Sequence, residues 1–199
     1  MRARGWANHL PIRSIYGEDF VVLGTGDIGG HIARNLHALG AGRVTGLCRS
    51  GRAPGAWWDE VLPIDALDEI LPRTHFLLMA LPSTPETVGI LTRERIALLP
   101  EDAYVVNVGR GTAIDQEALL EALDAGRLAG AALDVMLPEP PPQDHPLWQT
   151  RNLLLTPHVS GNMTLGYTRQ ANVDLFCENL RNYAAGKPLK GLIDRKWGY

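Results

Sequence analysis

Cysteine is scarce in this sequence, with only Cys48 and Cys177 among 199 residues. The two lie far apart and neither belongs to a Cys-x-x-Cys pair, which argues against a disulfide framework and against a zinc site. Thiols used this sparingly are typical of a reducing compartment. We therefore expect a cytoplasmic protein that binds no metal.

Long apolar runs and an excess of one charge are also missing. The longest apolar run, FLLMAL at 76–81, is far shorter than the roughly 20 residues that a membrane-spanning helix needs. The early arginines of MRARGWANHLPIRS have no apolar stretch behind them, unlike those of a signal peptide. With 19 basic and 22 acidic residues the net charge is −3, and we expect neither a nucleic-acid nor a membrane partner.

What the sequence has instead is a regular alternation of strand-like and helix-like segments. Strands separated by helices predict a parallel sheet with helices on both faces, which is a Rossmann-type, doubly wound α/β fold with three layers. Functional groups of such sheets lie at the carboxyl ends of the strands. The predicted strands are 20–24, 43–48, 61–64, 75–81, 103–109, 128–135 and 152–156, and the predicted helices cover 28–39, 66–71, two pieces starting at Thr84-Pro85 and Thr92, 115–126 and 164–185.

The segment GTGDIGG lies between the first predicted strand and the first predicted helix. It places Gly24, Gly26 and Gly29 in the order G-x-G-x-x-G. In a dinucleotide site the first glycine permits the tight turn, the second lets a pyrophosphate approach the backbone, and the third lets helix and strand pack closely. The free N–H groups of the helix N-terminus then face the phosphates. A purely structural turn is the alternative, but this strand–turn–helix context favours a dinucleotide site.

The end of the second predicted strand bears on which dinucleotide binds. An acidic residue usually stands there and accepts hydrogen bonds from the adenosine ribose. Here the end reads LCRSG, so that Cys48 takes the place of the carboxylate and Arg49 and Ser50 follow, with Arg52 close by. A carboxylate repels a 2′-phosphate, whereas an arginine beside a serine binds one. This pattern favours NADP over NAD; a solvated arginine in a surface loop is the alternative.

Three later strand ends carry residues that a purely structural chain does not need. NVGRG places Arg110 after one strand, ALDVMLPEP places Asp134 and Glu139 after the next, and TPHVSG places His158 after the last. An arginine can clamp a carboxylate while polarising the neighbouring carbonyl. A histidine can exchange the proton of a hydroxyl/carbonyl pair, and a glutamate beside it would fix its tautomer. Each residue alone could have a purely structural role, but together these residue types suit hydride transfer to a 2-keto acid.

In this fixed order the motifs GTGDIGG, LPSTPET, NVGRG, ALDVMLPEP and TPHVSG resemble the D-isomer-specific 2-hydroxyacid dehydrogenase family, and specifically its NAD(P)-binding domain. The resemblance implies that Arg110 binds substrate, that His158 is the acid/base, and that Glu139 pairs with it. It also implies cofactor contacts beyond the glycines and the LCRSG segment. These come from Asp27 and Ile28 in the pyrophosphate turn, from Leu81, Pro82, Thr87, Val108 and Gly109 along the cofactor's path, and from Asp134 near the nicotinamide amide.

The same resemblance implies a domain organisation. Residues 1–15 correspond to the remnant of a hinge helix and linker, 16–185 to the dinucleotide-binding domain, and 186–199 to a tail that returns to a substrate domain largely missing from this chain. Trp197 and Tyr199 of that tail would then be exposed. A homodimer and a small 2-hydroxy or 2-keto acid substrate are also implied.

Because one wall of the cleft would be absent, we expect this chain to bind the cofactor but to turn over weakly or not at all. A non-catalytic NAD(P)-binding sensor or scaffold module is the main alternative. A methyltransferase with a similar glycine loop is a weaker one, since it gives no reason for the Arg–Glu–His set.

Overall fold

The computed structural model describes residues 13–52, 55–161 and 163–195. Its centre is one sheet of seven parallel strands in the order β3-β2-β1-β4-β5-β6-β7. The order reverses between β1 and β4, and in such sheets ligands bind at the carboxyl edge beside this switch point. The strands are β1 Phe20–Leu23, β2 Val44–Cys48, β3 Glu60–Pro63, β4 Phe76–Met79, β5 Tyr104–Asn107, β6 Gly130–Leu133 and β7 Leu153–Leu155.

The helices connect these strands as the alternation predicts, with one correction. The piece predicted to start at Thr84-Pro85 is a single turn and not a helix. The Thr87 hydroxyl donates to the Pro82 carbonyl at 2.6 Å. The turn ends at Gly89, whose φ of +63° lies outside the helical range. The α-helices are α1 Asp27–Ala38, α2 Leu67–Ile70, α3 Arg93–Leu98, α4 Gln116–Asp124 and α5 Gly166–Ala184.

Two apolar cores lie on opposite faces of the sheet. Successive side chains of a strand point to opposite faces, so β1 contributes to both cores. Val21 and Leu23 join the larger core with residues of α2, α3 and α4, whereas Phe20 and Val22 join the smaller core with residues of α1. Leu23 and Val22 have no exposed surface. The sequence prediction of a three-layer, doubly wound fold is therefore confirmed.

The C-terminal helix α5 differs from the others because none of its residues is buried. Its large apolar side chains include Phe176, which is 67% exposed. Beyond it, Leu192 and Ile193 of the predicted tail are exposed as well, while Trp197 and Tyr199 lie outside the described residues, as does most of segment 1–15. No helix in the described ranges combines the length and apolarity needed to cross a membrane.

Candidate active site

The turn between β1 and α1 is packed so tightly that only glycine fits two of its positions. Gly24 has φ +94°, and a Cβ on it would lie 2.6 Å from the Ala80 carbonyl oxygen. A Cβ on Gly29 would lie 1.8 Å from the carbonyl oxygen of Gly24. By contrast, a Cβ on Gly26 would meet nothing within 4 Å. The outer glycines therefore close the turn, and the middle one leaves open space beside the backbone for a ligand.

A cavity of about 670 Å³ extends from this turn across the carboxyl ends of β1, β2 and β4. Most of the residues predicted to contact the cofactor line it, and the others do not. Asp27 and the exposed Ile28 lie in the first turn of α1, outside this cavity, and Gly29 and Gly109 are buried behind it. The predicted residues in the lining are Gly24, Gly26, Cys48, Arg49, Ser50, Leu81, Pro82 and Thr87.

Other lining residues were not assigned to the site from the sequence, although Arg52 was noted close to Arg49 and Ser50. Arg52, Asp65, Thr84, Glu86 and Arg95 contribute polar groups to the wall. Arg52 and Asp65 follow strand ends, and Thr84 and Glu86 lie in the turn after β4, so the carboxyl-edge rule applied to every strand would have indicated these four. Arg95 lies in α3, and no local pattern indicated it. Val108, in contrast, does not line this cavity. The next residue, Gly109, packs closely against the cavity wall, because a Cβ on Gly109 would lie 2.6 Å from the Leu81 carbonyl oxygen.

The end of β2 carries a compact polar cluster at one end of the cavity. The Cys48 thiol donates to the Arg52 carbonyl at 3.2 Å, and its Sγ lies 3.6 Å from the Ser50 Oγ. Burial acts to raise the pKa of this thiol, but hydrogen bonds with Thr25, Ser50 and the backbone of Arg52 outweigh it and lower the pKa overall. No carboxylate ends this strand, and the open backbone of the glycine turn lies beside it. These residues fit a dinucleotide that carries a phosphate on its adenosine ribose.

Arg110 follows β5 and is exposed at the carboxyl edge. Its guanidinium donates to the Gly109 carbonyl at 2.7 Å. The residue that shapes its backbone is Asn107, whose Nδ2 donates to the Arg110 carbonyl at 3.0 Å and whose Oδ1 accepts from the Gly109 N–H at 3.0 Å. Asn107 is 1% exposed. It begins the NVGRG motif, but no local pattern indicated that its side chain would bind the backbone of Gly109 and Arg110.

His158 and Glu139 form a hydrogen-bonded pair across 19 residues of chain. The imidazole Nδ1 lies 2.8 Å from the Glu139 Oε2. The other carboxylate oxygen, Oε1, accepts from the Met136 N–H at 2.9 Å. Burial acts to raise the pKa of Glu139, but the hydrogen bonds from His158 and Met136 and the attraction of the Arg110 guanidinium outweigh it, so that the pKa is lowered. A carboxylate on Nδ1 leaves Nε2 as the ring nitrogen available to a substrate.

Asp134 lies beneath the turn that carries His158 and is 4% exposed. Its Oδ1 accepts from the Thr156 hydroxyl at 2.5 Å and the Val159 N–H at 2.9 Å, and its Oδ2 accepts from the Ser160 N–H at 3.0 Å. Burial opposes the ionised form, but these hydrogen bonds outweigh it and lower the pKa of Asp134 to about 2. The carboxylate thus holds the histidine turn, whereas its predicted contact with the nicotinamide amide stays a prediction.

A small apolar cavity of about 540 Å³ adjoins the His158–Glu139 pair. Its apolar lining includes Met136, Pro140, Pro141, Trp148 and Leu155. Within the described residues, no group of three or more His, Cys, Asp or Glu side chains is arranged to bind a metal ion. The groups assembled at this edge are therefore a proton donor/acceptor with its carboxylate, and a nearby arginine.

Comparison with known proteins agrees with this geometry. The model of the D-isomer specific 2-hydroxyacid dehydrogenase NAD binding domain matches residues 1–160. Glyoxylate/hydroxypyruvate reductase A of Salmonella newport (strain SL254) is 35% identical over 193 residues, which cover 95% of this chain and 59% of that protein. The chain thus spans about three fifths of the length of the curated relatives that it matches.

Two solved structures extend the comparison to three dimensions. A D-isomer specific 2-hydroxyacid dehydrogenase from Xanthobacter autotrophicus Py2, in complex with NADPH and MES, has 34% identity and a TM-score of 0.85, covering 100% of this chain and 61% of its own. An NADPH-dependent glyoxylate/hydroxypyruvate reductase from Sinorhizobium meliloti, in complex with NADP and sulfate, has 30% identity and a TM-score of 0.86, with 100% and 62% coverage. The chain belongs to the D-isomer-specific 2-hydroxyacid dehydrogenase family and carries its NAD-binding domain.

Proposed function

We propose that this chain supplies the NADP(H)-binding and acid–base half of an oxidoreductase that interconverts small 2-hydroxy and 2-keto acids. The observation that carries the proposal is the His158–Glu139 pair, with Nδ1 and Oε2 2.8 Å apart, at the same sheet edge as the dinucleotide cavity. A module that only senses or binds the nucleotide has no need of a histidine oriented by a carboxylate.

The side chains have distinct roles in this proposal. When bound, the nicotinamide supplies or accepts the hydride. His158 donates the proton to the oxygen of the keto acid from Nε2, because Glu139 occupies Nδ1. The Arg110 guanidinium, at the neighbouring strand end, binds the substrate carboxylate and polarises its carbonyl group. We propose glyoxylate and hydroxypyruvate as the first substrates to test because the relatives above are named for them.

Two measurements on the purified chain test the proposal separately. NADPH binding, followed by the cofactor's fluorescence, is expected in the parent protein and in His158→Ala, because His158 does not line the dinucleotide cavity. NADPH oxidation with glyoxylate or hydroxypyruvate is expected to depend on His158, by about 100-fold or more. Since the relatives are longer than this chain, we expect the parent rate to be low.

The possible outcomes separate the candidate functions. Binding with turnover that His158→Ala leaves unchanged would contradict the acid–base role. Binding with no turnover would agree both with the isolated half of an oxidoreductase and with the sensor or scaffold module. Failure to bind either NADPH or NADH would contradict both.

Cofactor preference depends on Arg49 and Ser50 at the end of β2. The 2′-phosphate of NADPH would lie in the part of the cavity that these residues line. Charge-assisted hydrogen bonds contribute about 1.5–3 kcal/mol, so Arg49→Ala is expected to weaken NADPH binding by about 10- to 100-fold and to leave NADH binding nearly unchanged. Titration of both cofactors checks this, and equal losses would contradict the preference.

The family resemblance also leads us to expect a cytoplasmic homodimer, whose mass analytical ultracentrifugation would report.

A further inference from the structure

The segment that carries Glu139 can do little to hold itself in place. Four of the five residues 138–142 are proline, and proline has no backbone N–H to donate. Within this segment only Glu139 keeps an N–H group. A loop that lacks its own backbone donors takes its orientation from groups outside it. The position of the Glu139 carboxylate therefore depends on contacts from outside the 138–142 segment, which include the Met136 N–H and groups of neighbouring elements.

Gln116 provides such a contact from α4. Its Nε2 donates to the Leu137 carbonyl at 2.6 Å, and its Oε1 accepts from the Leu137 N–H at 2.9 Å. One primary amide thus satisfies both backbone groups of a single residue, directly before the prolines. Gln116 is half-buried, and it is the first residue of a helix whose start is fixed by Asp115, which accepts from the Ala118 N–H at 3.0 Å.

The loop that follows Arg110 leads into the same helix. A Cβ on Gly111 would lie 2.4 Å from the Met136 carbonyl oxygen, so the two loops are in direct backbone contact. Met136 in turn donates its N–H to Glu139 Oε1. The chain from Arg110 to Gln116 therefore packs along the chain from Met136 to Glu139. The Gln116–Leu137 pairing fixes the two loops at the end where the prolines begin.

We propose that Gln116 is a positioning residue for the acid–base pair. By pairing with Leu137 it holds the 137–142 segment so that Glu139 accepts the hydrogen bond from His158 Nδ1 and Nε2 stays available to the substrate. The inference rests on the proposed acid–base function of His158. It adds that a residue on a helix outside the site determines the tautomer of the histidine.

The test measures the tautomer of His158 directly in the 199-residue protein, without cofactor or substrate. In the parent, the ring ¹⁵N shifts of neutral His158 are expected to report the Nδ1–H tautomer. Gln116→Met keeps the length of the side chain but removes both hydrogen bonds, and it is expected to shift the ring toward the Nε2–H tautomer and to raise the pKa of Glu139 toward its ordinary value. Gln116→Glu keeps only the acceptor, so its effect should be intermediate and it serves where Gln116→Met is unstable.

Glu117→Gln is the matched control, since Glu117 is the next residue of the same helix and is exposed. Glu117→Gln should leave the His158 tautomer and the Glu139 pKa unchanged. A Gln116 variant whose melting temperature falls while the tautomer and the Glu139 pKa stay as in the parent would overturn the proposal, as would a parent without the Nδ1–H tautomer. Neither the His158 tautomer nor the Glu139 pKa is measured through turnover. A failure of the proposed function is therefore distinguishable from a failure of the Gln116 role.

Discussion

The turn after β1 and the turn after β7 lie at the same edge of the sheet, and both contain a residue with a left-handed backbone. In the first turn that residue is Gly24, with φ +94°, and in the second it is His158, with φ +53°. Glycine adopts this conformation without a steric penalty, whereas a residue with a Cβ is strained by about 1–2 kcal/mol. The two turns therefore need different means of support.

The glycine turn is held by close packing of backbone against backbone. The missing Cβ atoms of Gly24 and Gly29 are what allow it. The histidine turn is held by a buried carboxylate: Asp134 accepts hydrogen bonds from Thr156, Val159 and Ser160, and its backbone carbonyl accepts from the His158 N–H at 2.9 Å. One site thus depends on the absence of side chains and the other on a polar network. Strain at His158 is maintained because its surroundings fix it.

The substitution with the largest expected effect, Gly29→Ala, disrupts the glycine turn. Gly29→Ala places a Cβ 1.8 Å from the Gly24 carbonyl oxygen, and the backbone must move to accept it. We expect a loss of about 3 kcal/mol or more in the free energy of unfolding, together with loss of NADPH binding. Urea unfolding and cofactor titration measure the two effects.

The adjacent glycine is the matched control for this change. Gly30 lies in α1, and a Cβ there would meet nothing within 4 Å. Gly30→Ala should be neutral or should stabilise the helix by up to about 1 kcal/mol. Similar destabilisation by the two alanines would show that the turn does not depend on close packing at Gly29.

The substitution with the next largest expected effect, Asp134→Asn, removes the carboxylate that supports the histidine turn. The ordinary pKa of 3.8 and the folded pKa of about 2 for Asp134 correspond to ~2.5 kcal/mol of stability at neutral pH. Because the folded pKa is the lower one, this stability is present above pH ~4 and is lost as the pH falls toward 2. Asp134→Asn should therefore lower the free energy of unfolding by about 2–3 kcal/mol at pH 7.

Urea unfolding of the parent and of Asp134→Asn across pH 2–7 tests this linkage. The difference between the two proteins should narrow as the pH falls below 4, because the parent carboxylate becomes protonated. A difference that stays constant down to pH 2 would mean that the charge of Asp134 does not support the turn.

The smallest effect compares two substitutions at His158 itself. Alanine normally stabilises a protein relative to glycine, because glycine loses more chain entropy on folding. At a φ of +53° the order should reverse, so that His158→Gly is more stable than His158→Ala by about 1 kcal/mol. Thermal unfolding of the two variants measures it, and a more stable alanine variant would show that the turn relaxes.

The two turns also differ in how well they could be predicted. The glycine turn was predicted from three glycines at a fixed spacing between a strand and a helix, and the structure places them as expected. His158, Glu139 and Arg110 were predicted as a set at strand ends, but Asn107 and Gln116, which hold the loops of two of them, were not. Asp134 was assigned a cofactor contact rather than a place beneath the histidine turn. The single turn at 84–89 was mistaken for a helix because Thr-Pro resembles a helix start.

The sequence by itself determined the alternation of strands and helices, the glycine turn and the family, because these depend on periodicity and on short motifs along the chain. Only the tertiary structure decided which polar groups meet. Gln116 reaches Leu137, and Asp134 reaches Ser160, across 21 and 26 residues of sequence. Contacts between elements depend on how strands are ordered and how loops cross the sheet edge, and no local pattern of residues encodes such distances. The pairing of His158 with Glu139 could be predicted from the chain, but what holds the pair in place could not.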